Sequence, residues 1–111
     1  MLASSLKVNN LTAIIDYNKW QATGRSQEIL ALEPLIDKWE AFGWDCYEVN
    51  GHSFEEMDLA FKKARLNTKS PSMIIAHTIK GKGVSFMEDN NNWHYRTPND
   101  QELEMALAEL N

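Results

Sequence analysis

Residues 11–25 read LTAIIDYNKWQATGR. Leu11 to Ile15 is an apolar run of strand length, rich in β-branched residues, and reads as a buried strand. The chemistry then changes at once to Asp16, Tyr17, Asn18 and Lys19. In an open parallel α/β sheet, ligands bind at the carboxyl ends of the strands, where the loops border a shared crevice. Asp16 and Asn18 fall at such a position. A plain turn is the competing reading, because Asp and Asn side chains bond nearby backbone groups. Beyond them, Lys19 to Arg25 reads as a loop with Gly24 available for positive φ. Ser26 to Leu30 has room for one short helical turn.

Working outward, the chain alternates strands and helices. Residues 1–8 read as the end of a helix closed by Asn9-Asn10. Pro34 suits the first turn of a helix and Gly43 the position just past its end. Between them Leu35, Ile36, Trp39 and Phe42 form an apolar stripe at helical spacing, with Trp39 a core residue. Trp44 to Val49 (WDCYEV) reads as a second strand. After Asn50-Gly51-His52, the run Ser53-Phe54-Glu55-Glu56 has the form of a capping box for a helix over about residues 54–66. Met57, Ala60, Phe61 and Ala64 share one face of it. Ser70-Pro71 breaks the chain, and Ser72 to His77 (SMIIAH) reads as a third buried strand. This order predicts an α/β fold, a parallel sheet with crossover helices.

The composition narrows the function. A net charge of -5 and only 11 Lys and Arg residues give no basic stripe for nucleic acid. No apolar run approaches membrane-spanning length, and MLASSLKVNN lacks the pattern of a signal peptide. The one cysteine, Cys46, has no partner for an internal disulfide. That fits a reducing cytoplasm. It reads as a small hydrophobe in a strand.

The stretch from Thr78 to Pro98 is long for a connection inside a compact domain, and such loops are usually functional or disordered. Lys80-Gly81-Lys82-Gly83 within it offers lysines and glycine amides that suit an anion. A solvent-facing loop is the plain alternative, and neither a P-loop nor Gly-x-Gly-x-x-Gly is present. Trp93-His94 is the other candidate pair, since a histidine moves protons near neutral pH. Against that stands a loop anchored by Trp93 with His94 exposed. His77 ends the third strand at the same edge as Asn18. His52 reads as a turn residue ahead of a helix cap. A last helix over about 99–110 carries Leu103, Ala106, Leu107 and Leu110 on one side, with Thr97 or Asn99 as its N-cap.

IIDYN through QATGR resembles the second half of the cofactor motif of transketolases, in their thiamine-diphosphate-binding domain. That motif opens with Gly-Asp-Gly and closes at an Asn. AHTIKGKGV and FME followed by WH resemble the loop that covers the cofactor pocket in the same family. Gly51-His52 is similar to its Asp-Gly-His, with Asn50 in place of Asp. The match runs in one order through nearly all 111 residues. Its specific parts are the IIDYN-to-QATGR stretch and the KGKGV-to-WH loop.

The resemblance implies a thiamine diphosphate and Mg2+ site. Asn18 would bind magnesium through its side-chain oxygen and Trp20 through its backbone carbonyl, as suits a hard ion. Lys80 would lie at the cofactor mouth, and His94 close to diphosphate and substrate as the catalytic histidine. The implied reaction is two-carbon ketol transfer between sugar phosphates. A pyrimidine-binding domain or subunit would be the partner, so a homo- or hetero-oligomer is expected. The Gly-Asp-Gly of the family has no counterpart here, and its place lies farther upstream than the seventeen residues before Asn18. Met1 to Lys7 is similar to the later part of the helix that follows it. Residues 1–111 are therefore expected to form a single partial domain, the carboxyl-terminal part of the diphosphate-binding fold. The isolated chain is expected to be inactive. The alternatives are a piece of another thiamine diphosphate enzyme (deoxyxylulose phosphate synthase or a keto-acid dehydrogenase component), or a non-catalytic remnant acting in assembly.

Overall fold

The computed structural model describes residues 1–111. It contains two compact units, one formed by Met1–Tyr17 and Leu32–Thr78, the other by Asn18–Ala31 and Ile79–Asn111.

The first unit is a three-stranded parallel sheet with helices. Its elements are α1 (Leu2–Ser5), β1 (Thr12–Tyr17), α3 (Leu35–Ala41), β4 (Asp45–Asn50), α4 (Phe54–Leu66) and β5 (Ser72–His77). The second unit supplies β2 (Trp20–Gln21), β3 (Gly24–Arg25), α2 (Ser26–Ile29) and α5 (Asp100–Leu110). The strand order is β1-β5-β4. β5 takes the centre because SMIIAH is apolar on both faces, as a strand covered on both sides must be. Met73, Ile74 and Ile75 are fully buried. β1 alternates instead, with Ala13, Ile15 and Tyr17 turned to the core and Thr12, Ile14 and Asp16 exposed. In register, Tyr17 and Asn50 both pair with His77, so the three strands end together at one carboxyl edge.

β1 runs two residues past the apolar segment. The polar types at its end do not stop it because each is accommodated. Asp16 accepts a hydrogen bond from the Thr78 hydroxyl, and the buried Tyr17 ring stands edge-on to His77 at 5.5 Å. β4 begins at Asp45, one residue later than the sequence suggests. Trp44 precedes it in the core, edge-on to Trp39 with ring centroids 5.1 Å apart.

The helices show how far pattern alone reaches. Pro34 stands at the N-cap of α3 and not in its first turn, and the Glu33 carboxylate accepts the Leu35 N–H at 3.0 Å. Leu35, Ile36 and Trp39 pack into the core, but Phe42 lies past the helix and is half exposed. Gly43 closes the turn at φ +79°, a conformation suited to glycine, and a Cβ there would lie 2.3 Å from Ser4 Oγ. α4 spans the expected residues, yet of its apolar face only Ala60 and Ala64 are fully buried, and Phe61 is exposed. The capping box is half formed. Ser53 Oγ accepts the Glu56 N–H at 3.2 Å, while the Glu56 carboxylate turns to the Asn50 N–H at 2.7 Å.

In the second unit, the expected loop after Asn18 is a small antiparallel hairpin, β2 with β3. Gly24 is not left-handed; Lys19 (φ +69°) and Asp89 (φ +52°) are. The long connection is ordered by a succession of tight turns. Val84 N–H bonds to Gly81, Met87 N–H to Val84, and Asp89 N–H returns to the Lys80 carbonyl at 2.8 Å. Gly81 turns at φ +71°, where a Cβ would meet the Met87 carbonyl oxygen at 2.5 Å. α5 starts at Asn99, which forms the full capping box with Glu102, at 2.9 and 3.0 Å. Thr97 plays no part in that cap. Only Ala106 of the α5 stripe is buried, and Leu103, Leu107 and Leu110 are exposed. No helix is long and apolar enough to cross a membrane.

Candidate functional site

Asn18 is the first residue past β1. Its Oδ1 accepts the Trp20 N–H at 2.9 Å, so the turn reading of this asparagine is realised. An amide oxygen has a second lone pair, and one such bond leaves acceptor capacity on Oδ1. Lys19 passes through the left-handed region between them. Its carbonyl accepts the Ser26 N–H at 2.9 Å, which marks Lys19 and Ser26 as a hydrogen-bonded pair of the hairpin. The next pair inward, Trp20 with Arg25, is therefore non-hydrogen-bonded. In such a pair both backbone groups point away from the opposite strand. The Trp20 N–H turns to Asn18, and the Trp20 carbonyl turns outward as well.

The Trp20 side chain is held on two sides. Its Nε1–H donates to Asp89 Oδ1 at 2.8 Å, and the Arg25 guanidinium carbon lies 3.7 Å from the centre of its ring. Arg25 closes the triangle with two bonds to Asp89, at 2.7 and 2.5 Å. The Arg25 bond, then the indole N–H, hold the Asp89 carboxyl well below its ordinary range, at about 2. Arg25 is correspondingly raised, chiefly by its bond to Asp89. Nearby, Asn91 Nδ2 donates to the carbonyls of Gln21 and Ala22 at 3.1 Å each, so the loop grips the hairpin at its turn too. Neither Arg25 nor Asp89 is a site candidate by sequence, although each lies within a stretch that carries the family resemblance. They lie 64 residues apart, and only the fold brings them together.

Lys80 is joined to this cluster through its backbone, as the acceptor for the Asp89 N–H. The anion cradle read from Lys80 to Gly83 is partly met from within the loop. The Glu88 carboxylate accepts the Gly83 N–H at 3.0 Å and pairs with Lys82 at 3.3 Å. Trp93 anchors its segment, donating Nε1–H to the Phe86 carbonyl at 3.1 Å and lying under Arg96 at 4.5 Å. His94 is exposed, its ring against Tyr95 at 4.4 Å, and no hydrogen bond joins it to Asn18, Trp20 or Lys80. His52 and His77 belong to the first unit. His52 is an exposed turn residue whose N–H bonds to Asn50 Oδ1 at 3.0 Å. His77 Nε2 lies 2.5 Å from Glu48 Oε1.

No cluster of three or more His, Cys, Asp or Glu side chains is positioned to hold a metal ion. Asn18 Oδ1 and the outward Trp20 carbonyl are neutral oxygens. That donor set suits a hard cation sharing its remaining positions with phosphate oxygens and water, and not a soft metal. The residues fit magnesium diphosphate as part of its shell.

A parallel sheet whose strands end together at one carboxyl edge is the form of an α/β cofactor-binding protein. The family model for the transketolase thiamine diphosphate binding domain matches residues 1–110, and the chain belongs to that family. Among its relatives, an apulose-4-phosphate transketolase subunit of Phocaeicola vulgatus is 41% identical over 110 residues, which is 99% of this chain and 39% of that protein. The 6-deoxy-6-sulfo-D-fructose transketolase subunit SqwG of a Clostridium species is 43% identical over 110 residues, 99% of this chain and 40% of that protein. The chain thus spans about two fifths of these relatives. In the crystal structure of Campylobacter jejuni transketolase, the same fold recurs with a TM-score of 0.90 at 28% identity, covering 98% of this chain and 17% of that one.

Proposed function

We propose that the chain is a single partial domain, the carboxyl-terminal part of the diphosphate-binding domain of a transketolase that moves a two-carbon ketol unit between sugar phosphates in the cytoplasm. Asn18 Oδ1 and the Trp20 carbonyl are the protein's ligands here to Mg2+, and Lys80 and His94 serve the diphosphate and substrate side. When bound, thiamine diphosphate supplies the carbanion chemistry. The residues of this chain hold and orient its charged end, and His94 is the group suited to carry a proton near the substrate. The observation that supports this best is local. One asparagine fixes the N–H of Trp20 while the hairpin register turns the Trp20 carbonyl outward, giving two neutral oxygens at neighbouring positions. A pyrimidine-binding domain or subunit would complete the site, in keeping with relatives named as transketolase subunits.

Calorimetry of thiamine diphosphate binding, with and without Mg2+, tests the reading on the complete protein with its partner subunit. Asn18→Ala is expected to weaken magnesium-dependent binding and ketol transfer far more than His52→Ala, because a lost oxygen ligand leaves the ion's shell incomplete. Equal effects of the two substitutions would remove the assignment.

A further inference from the structure

We infer that Asp89, acting with Arg25, is a positioning residue that sets where the Trp20 carbonyl points, and so tunes the site for a small octahedral cation. This rests on the proposed reading of Asn18 and Trp20 as cation ligands. β2 and β3 are two residues each, and so short a hairpin does not hold its own geometry in water. Something else must fix Trp20. Its backbone N–H is tied to Asn18, and its indole is tied to Asp89 at 2.8 Å. The ring is covered by Arg25, the residue directly across the hairpin, where side chains of a non-hydrogen-bonded pair come closest. Arg25 grips the same carboxylate with both terminal nitrogens. Asp89 is itself fixed by a left-handed backbone and by its N–H bond to Lys80.

An ordinary surface ion pair is the competing account. Arg25 and Asp89 are 38% and 51% exposed, and such pairs contribute little to stability. What distinguishes this one is its third member. The pair is closed through an indole N–H onto the residue whose carbonyl is at issue. Partners outside the first shell of a metal orient its ligands, and losing them weakens metal affinity without removing a ligand.

The two accounts differ in what a substitution moves. The complete protein in its native assembly is titrated with Mg2+, and separately with Ca2+, at fixed thiamine diphosphate, with cofactor binding followed by calorimetry. Asp89→Ala and Trp20→Phe are each expected to raise the Mg2+ concentration for half-maximal binding by about tenfold or more. The Ca2+ value should shift less, because calcium tolerates irregular geometry and magnesium does not. Asp89→Asn keeps an acceptor for the indole and loses the ion pair, so it should fall between. It also serves as the second variant if Asp89→Ala folds poorly by thermal melt. Unchanged Mg2+ requirements, or equal shifts for the two ions, would overturn the inference while Asn18→Ala still abolished metal dependence. Magnesium-independent binding by the unsubstituted protein would overturn the reading of the site, and this inference with it.

Discussion

The Glu56 carboxylate accepts the backbone N–H of Asn50 at 2.7 Å, reaching from the first turn of α4 to the last residue of β4. The bond bridges the turn that carries Gly51 and His52, so it joins helix to strand. Glu55, beside it in the first turn, shares its helix-dipole benefit but has no such reach. Glu56→Ala is therefore expected to cost about 1 kcal/mol, the usual net value of one hydrogen bond. Glu55→Ala should cost only a few tenths, the scale of a charge near a helix end. Urea midpoints at unchanged slope read the difference. Equal costs for the two would mean that the bridge to Asn50 contributes nothing.

β5 is the central strand of the sheet and its most deeply buried element. Ile75 is fully buried and pairs with Ile15 on one side and Glu48 on the other. Ile75→Ala should cost about 2–5 kcal/mol and Ile75→Val about 0.5–1.5. The first figure is a large share of the roughly 5–15 kcal/mol a domain has in total. Ile14, half exposed on β1, is the control, and its change to Ala should cost clearly less. A cost at Ile14 matching that at Ile75 would contradict the burial pattern.

β5 and α4 are legible in the sequence to the residue, because each announces itself locally. SMIIAH is bounded by Pro71, and α4 opens at a serine with glutamate three residues on. The end of β1 is hidden from pattern, since Asp16 is hydrogen-bonded by Thr78 and the Tyr17 ring packs edge-on to His77, some 60 residues away. Gly24 suggests a positive φ, which the hairpin places at Lys19 instead. Asn18 and Trp20 stand out by resemblance, but the role of the Trp20 side chain does not. The backbone role proposed for Trp20 leaves its side-chain identity open. Asp89 and Arg25 close it, and their meeting depends on how loop and hairpin fold together. The exposed stripe of α5 marks the limit of periodicity, which reports that a face is apolar and not what covers it.

Two neighbours on β4 predict an alkaline weakness. Burial, aided by the charges of Glu40 and Asp45, pushes the Cys46 thiol up to about 11 from its ordinary 9.0. Burial, then the hydrogen bond to Asp45, pushes Tyr47 to about 12 from 10.0. Both groups bind their proton more tightly in the folded state. Their contribution is whole below pH 9 and is lost as pH rises from 9 to about 12. Stability should fall across that window, and Cys46→Ala should flatten its lower part while Tyr47→Phe flattens the upper. Denaturant melts at pH 8, 10 and 11 on the three proteins check this. A Cys46→Ala variant with the unaltered slope would refute the assignment.

The two edges of the sheet are unlike, and the difference predicts how the 111-residue chain behaves alone. β4, at one edge, presents Asp45 and Glu48. Charges on an edge discourage pairing with another chain. β1, at the other edge, reads TAIIDY with Ile14 50% exposed, and its single charge lies near the end. Its outer row of backbone donors and acceptors has no strand beside it in this sheet. An edge of that kind is a template for a second strand. The chain is therefore expected to self-associate through β1 as its concentration rises. Ile14→Lys should suppress this at little cost to folding, because the side chain is already half in solvent. A lysine at an edge is also the common natural guard. Native mass measurement over a dilution series, with a denaturant melt beside it, gives the answer. A monomer at every concentration with reversible unfolding would show that β1 is no sticky edge. Association that persists unchanged in Ile14→Lys would move the contact elsewhere, with the exposed leucines of α5 next to be tested.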